Sequence, residues 1–79
     1  MSLAIRIKYF ASLRDRLGRS EDSLPAREGL TVAAVWSQLW PDTPLPPMIL
    51  TAVNQEYRGL HYPVKDGDEV AFFPPVTGG

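Results

Sequence analysis

The sequence predicts an α+β domain in which a mixed sheet of four to five strands packs on one main helix plus a short helix. Three observations carry that expectation. Leu3, Ile5, Ile7 and Tyr9 alternate with Ala4, Arg6 and Lys8 near the start of the chain, which is the period of a strand with one buried and one wet face. Val32, Val35, Trp36, Leu39 and Trp40 fall at the i, i+3, i+4, i+7 and i+8 positions of a single helical stripe. A second strand-like run, Glu69 to Phe73, follows the turn residues Asp66-Gly67.

In chain order, residues 2 to 9 form the first strand. Phe10, Leu13 and Leu17 recur at helical spacing and Gly18 stands where a left-handed residue ends a helix, so a short helix spans about residues 11 to 17. Arg14, Arg16 and Arg19 cluster there beside Asp15 and read as a solvated helix face. Asp22 to Pro25 forms an edge strand, where charge and proline discourage unwanted pairing. Thr31 is a suitable N-cap for the main helix, which ends before Pro41. The two tryptophans of that helix read as core, since each ring can bury about 150 to 250 Å² and a small domain needs the area. Pro41, Pro44, Pro46 and Pro47 make a stiff loop. Met48 to Val53 is apolar on both parities, as a strand covered on both faces would be. Asn54-Gln55-Glu56 reads as a turn, Tyr57-Arg58-Gly59 as a short returning strand, Leu60 to Val64 as a loop and Glu69 to Phe73 as the last strand. This is the element order of a β-grasp, ubiquitin-like fold, with the first and last strands parallel in the middle of the sheet.

Composition narrows the function. The chain of 79 residues reads as a single domain, 1–79, with 74–79 an extended C-terminal tail. A domain of this size buries only about 60 to 65% of the surface that its unfolded chain exposes, too thin a core for a deep catalytic cavity. A net charge of -1 offers no drive toward nucleic acid or an anionic membrane, so neither is expected as a partner. With no cysteine, disulfides, thiolate metal sites and a cysteine nucleophile are excluded. His61 is the only histidine and lacks a companion ligand, so no metal is expected. Asp66, Asp68 and Glu69 lack the spacing of a calcium loop and read as turn chemistry. Neither Gly-x-Ser-x-Gly nor Gly-x-Gly-x-x-Gly is present, and no cofactor is expected on this chain. The start of the chain has no basic and apolar leader pattern, which points to a soluble cytoplasmic protein.

What remains is the stretch Phe72-Phe73-Pro74-Pro75-Val76-Thr77-Gly78-Gly79. Pro74 and Pro75 have φ held near the polyproline value, and a residue before proline is pushed toward extended backbone, so this segment leaves the domain straight. At roughly 3.3 Å per residue, Pro74 to Gly79 reaches about 20 Å, enough to enter a pocket on another protein. Gly78 and Gly79 carry no Cβ, so a narrow channel can close around them. Asp66 through Gly79, together with Ala52-Val53-Asn54-Gln55, resembles the small subunits of molybdopterin synthase, which are ubiquitin-like sulfur carriers. Gly-Gly alone is shared with carriers serving thiamine thiazole or tRNA thiolation, with protein modifiers, and with idle tails on non-covalent modules. The preceding Phe-Phe-Pro-Pro-Val-Thr selects the molybdopterin pathway.

The resemblance implies that an ATP-dependent adenylating enzyme, akin to ubiquitin-activating enzymes, forms an acyl-adenylate on the Gly79 carboxylate. A sulfur donor then displaces AMP and leaves a thiocarboxylate. The tail next enters the large subunit of the synthase, where sulfur passes to cyclic pyranopterin monophosphate. The chain is then a donor within a heterotetrameric sulfurtransferase, with no activity expected alone and with ATP used only by the activating enzyme. Gly79 and Gly78 are the reacting end; Phe73, Pro74, Pro75, Val76 and Thr77 are the partner-binding root and tail. Phe10 and Tyr57 are added as aromatic positions on the same side, although ordinary core membership is equally open for Phe10.

Overall fold

The alternation at the two ends of the chain builds the centre of the sheet. The computed structural model describes residues 4–75. Its elements are β1 (Ala4–Tyr9), α1 (Ala11–Leu17), β2 (Glu21–Pro25), α2 (Val32–Leu39), β3 (Leu50–Val53), β4 (Glu56–Tyr57) and β5 (Glu69–Phe73). All five strands join one sheet in the order β2-β1-β5-β3-β4. β1 and β5 lie parallel in the middle, with Ile7 beside Val70 and Tyr9 beside Phe72. β2 and β3 flank them antiparallel, and β4 returns on β3. This is the expected α+β, β-grasp architecture.

One face of the sheet is dry. Ile5, Ile7 and Tyr9 of β1 and Val70 and Phe72 of β5 are fully buried, and α2 packs against them through Val32, Val35 and Trp36. The start of α2 is set by Thr31, whose Oγ1 accepts a hydrogen bond from the Ala34 N–H at 3.1 Å and so satisfies one of the free donors of the first turn. The end of α1 is set by Gly18, which sits at φ 73° while its N–H donates to the Arg14 carbonyl. Trp36 Nε1–H donates to the Thr43 carbonyl at 2.7 Å, which ties the proline-rich loop to the helix. Val53 and Glu56 flank a two-residue turn in which Asn54 and Gln55 both have positive φ, 53° and 69°, as a type I′ hairpin requires.

Several expectations need correction. The third strand begins at Leu50 rather than Met48, which is 69% exposed in the loop after Pro47. Within the strand Thr51, Ala52 and Val53 are buried on both parities, as expected, and only Leu50 remains exposed, on the helix-free side. The returning strand is Glu56–Tyr57 rather than Tyr57 to Gly59, because the tight turn uses only Asn54 and Gln55. The edge strand gains Glu21. The main helix has eight residues, one more than α1, with Trp40 as its C-cap. Arg14, Arg16 and Arg19 are all exposed as expected, but Arg19 lies beyond the end of α1 rather than on its face. Its guanidinium lies 4.2 Å from the Trp40 ring centroid and donates to both carboxylate oxygens of Asp22, because the chain turns at Gly18 toward β2. Residues 2 and 3 of the expected first strand lie outside the described residues.

Candidate functional site

Alternation puts the other half of each strand on the helix-free face. Glu69, Ala71 and Phe73 of β5 face away from the buried Val70 and Phe72, and Arg6 and Lys8 do the same on β1. Register then places Ala52 beside Ala71 and Tyr57 beside Ala52, so two alanines form a low floor between larger neighbours. The Tyr57 and Phe73 rings meet over it, with centroids 5.9 Å apart and planes tilted by 47°.

Phe10 completes the wall. Its N–H donates to the Phe72 carbonyl at 3.2 Å, continuing the β1–β5 pairing one residue past Tyr9, so Phe10 falls on the open side. Its backbone is extended and the residue is 45% exposed, which settles its placement against core membership. Ala11, next in the chain, has φ 56°, a left-handed conformation costing a non-glycine residue about 1 to 2 kcal/mol. That strained residue makes the sharp change of direction from β1 into α1.

The result is a groove of about 540 Å³ on the open face, lined by Phe10, Tyr57, Phe73 and Pro74 with the alanine floor between them. Its polar edge is an ion-pair cluster. Glu69 receives Lys8 Nζ at 3.7 Å and Arg6 Nη2 at 3.5 Å. These are partly solvated pairs, worth about 0 to 1 kcal/mol each, and they mark a rim rather than a catalytic pair. Four expected partner-binding residues, Phe10, Tyr57, Phe73 and Pro74, therefore meet at one place, the point where β5 leaves the domain. Pro75 follows, half-buried and outside regular structure. Val76, Thr77, Gly78 and Gly79 lie outside the described residues. Ala52, Ala71, Lys8 and Glu69 are not among the partner-binding residues expected from sequence; for Ala71 and Glu69 the signal is present in their alternation with Val70 and Phe72.

On the opposite, helix-covered face, the sequence gives no warning of a polar chain that runs through the core edge. Trp40 Nε1–H donates to the Tyr9 phenol oxygen at 2.9 Å, and the Tyr9 O–H donates to Asp22 Oδ2 at 3.0 Å. Burial pushes the Tyr9 phenol up to about 12, with the neighbouring Asp22 carboxylate acting in the same direction. Such a phenol keeps its proton and serves as a structural donor rather than a base. Asp68 is buried too, although it reads as turn chemistry in the sequence. Its oxygens accept from the Lys65 N–H and from Asn54 Nδ2, both at 2.9 Å. His61 is exposed in a turn, and no group of three or more histidine, aspartate or glutamate side chains suited to a metal occurs among the described residues. Among the same residues no helix is long and apolar enough to cross a membrane.

The open face thus offers apolar contact at the root of the C-terminal segment, rimmed by the ion pairs of Glu69 with Lys8 and Arg6. A β-grasp domain of this architecture is a ubiquitin-like protein. The chain belongs to the ThiS family, whose sequence profile matches residues 7–79. It is 39% identical over 80 residues to the molybdopterin synthase sulfur carrier subunit of Escherichia coli strain K12, an alignment that covers 95% of this chain and 99% of the relative. Among solved structures it is similar to small archaeal modifier protein 1 of H. volcanii, with a TM-score of 0.78, 26% identity and coverage of 94% of this chain and 99% of that one. It is also similar to a chain of the Amycolatopsis orientalis BexX/CysO complex, with a TM-score of 0.67, 27% identity and coverage of 95% and 99%.

Proposed function

We propose that this chain is the sulfur carrier subunit of a molybdopterin synthase, acting in molybdenum cofactor biosynthesis. The observation that carries the proposal is the 39% identity to a relative of that name along its whole length. The groove adds physical support, because a tail of small residues has few anchoring groups and needs apolar contact at its root. In this reading Gly79 is the reacting end. Its ionised carboxylate is a poor electrophile, since its charge repels nucleophiles and an oxide is a bad leaving group. An adenylating enzyme uses ATP to convert it to an acyl-adenylate with release of pyrophosphate. Sulfide-level sulfur delivered by a donor attacks the carbonyl carbon, the bond to AMP breaks as the C–S bond forms, and a thiocarboxylate remains on Gly79. The large subunit receives the tail and directs the sulfur to cyclic pyranopterin monophosphate, while Phe10, Tyr57, Phe73 and Pro74 hold the domain against it. Catalytic side chains belong to the partners.

The test is the intact mass of the chain after incubation with ATP, an adenylating enzyme of the ubiquitin-activating type and a sulfur donor, followed by fragmentation of the tail. The expected product is heavier by the difference between sulfur and oxygen, localised to Gly79. Recovery of the unmodified carboxylate alone would refute the carrier reading. A second reading, a protein modifier joined through Gly79 to lysines of targets, is favoured by the similarity to small archaeal modifier protein 1. Lysine adducts in the same spectra would support it.

A further inference from the structure

The Ala52-Val53-Asn54-Gln55 stretch has a role that docking and sulfur chemistry leave unexplained. Ala52 supplies the groove floor and Gln55 lines its side, but Asn54 does neither. It is bound instead to the start of β5 through both its backbone and its side chain. The Asn54 N–H donates to the Glu69 carbonyl at 2.8 Å, and Asn54 Oδ1 accepts from the Glu69 N–H at 3.0 Å. The side-chain amide thus completes a reciprocal pair with one residue of β5, taking the place of a ladder partner beyond the last strand pair, Val53 with Val70. The other end of the amide, Nδ2, donates to Asp68 Oδ1. Asp68 Oδ2 is in turn held by the Lys65 N–H, and Asp68 is only 5% exposed, so its carboxylate has few alternative partners.

This clamp lies at the end of β3 from which the hairpin turns. β4 has two residues and pairs only with β3, so little else dictates where Tyr57 stands. The further ties are the Arg58 N–H to the Thr51 carbonyl and the Thr51 hydroxyl to the Arg58 carbonyl. Tyr57 is 72% exposed, so apart from the Phe73 ring little packing holds it. A short hairpin of this kind is marginal on its own. We infer that Asn54 and Asp68 are positioning residues for partner docking: they lock the β3–β4 hairpin against the start of β5 so that the Tyr57 ring stands over the alanine floor beside Phe73. The assignment deepens the docking reading above and rests on it for its functional meaning, but its structural half stands alone.

Two substitutions test it. Asn54→Gly removes the amide while keeping a residue that accepts φ near 53° without strain. Asp68→Asn keeps an oxygen for the Lys65 N–H and its shape, but weakens the acceptor that Asn54 Nδ2 uses. In the isolated chain, the ring-proton shifts of Tyr57 and Phe73 report their mutual shielding. Both variants are expected to move the Tyr57 shifts toward those of an unstacked ring, with the remainder of the spectrum folded. Unchanged Tyr57 shifts in both folded variants would overturn the inference, whatever the partner does. Affinity is then measured with the large molybdopterin synthase subunit from the same source as the probe, in the original chain, Asn54→Gly, Tyr57→Ala and the double variant. Asn54→Gly is expected to weaken binding about tenfold, and that loss should vanish in the Tyr57→Ala background. The loss in melting temperature from Asn54→Gly, by contrast, should persist in both backgrounds. A binding loss that is the same in both would overturn the positioning role, because Asn54 would then act without Tyr57. Failure of the unmodified chain to bind the probe would count against the docking reading itself, and the ring shifts would still decide the clamp.

Discussion

Phe72 and Phe73 are adjacent and chemically identical, yet the pleat of β5 sends them to opposite sides of the sheet, and truncating them should have opposite consequences. Phe72 is fully buried, stacks on Tyr9 with centroids 6.2 Å apart and meets Trp36 edge-on at 5.1 Å. Phe72→Ala removes that ring from the centre of the core and should cost about 3 to 5 kcal/mol. At about 0.05 to 0.15 kcal/mol per residue, the whole domain has roughly 4 to 12 kcal/mol of stability, so this variant stands near unfolding. With about 4 to 8 °C per kcal/mol for a domain of this size, its melting temperature should fall by roughly 12 to 40 °C. Phe73 is only partly buried, so Phe73→Ala removes less buried area together with the contact with Tyr57, and its melting temperature should fall clearly less than that of Phe72→Ala. Binding to the large subunit should respond the other way. An anchor at the centre of an interface is worth about 2 kcal/mol or more, so Phe73→Ala should weaken the complex about thirtyfold or more. Circular dichroism melts and titration calorimetry with the large subunit give both numbers. Equal melting losses for the two variants, or undiminished affinity of Phe73→Ala, would refute the division of labour between the two faces.

Two further outcomes follow from the core. Trp36→Ala should cost about 3 to 5 kcal/mol, since it removes contacts with Tyr9, Phe72 and Trp40 and strips the Thr43 carbonyl of its donor; an unmoved melting curve would contradict this. Tyr9 predicts an alkaline transition. Its folded pKa is raised from 10.0 to about 12, so the folded state holds the proton more tightly than the unfolded one. The resulting stability is fully present below about pH 10 and is lost as pH rises from there through 12, approaching about 3 kcal/mol. Denaturant titrations from pH 9 to about 12 should show that slope in the original chain and not in Tyr9→Phe; the same slope in both would assign it to other groups.

Much of the fold was legible because the signals are local. Residues of opposite polarity alternate through β1, and the helical stripe, the Thr31 cap and the Gly18 stop each occupy a few neighbouring positions. Misreadings arose where contacts between distant residues decide. Arg19 looked like one more basic residue after a helix, yet Trp40 and Asp22 hold it, twenty-one and three positions away. Asp68 carried the signature of a turn, and only the approach of Asn54 from the hairpin closes a shell around its carboxylate. Met48 was drawn into β3 by its hydrophobicity, although a chain emerging from Pro47 reaches the sheet only at Leu50.

The sequence by itself determined the strand and helix periods, the turn positions and the motif at the C-terminal end, and with them the family. Those properties live within about ten residues of chain, where dihedral preference and side-chain spacing act directly. The groove on the open face was decided by tertiary structure. Phe10, Tyr57 and Phe73 are scattered along the chain, and each lies on the open face only because parallel pairing of β1 with β5 and antiparallel pairing of β3 with both β5 and β4 have one particular register. A slip of one residue in any of these pairings would turn a strand's aromatic ring from the open face to the helix-covered one. The buried residues Ile7, Tyr9, Val70, Phe72 and Val53 hold that register by packing under the helices, and in doing so they place the aromatic groove on the open face.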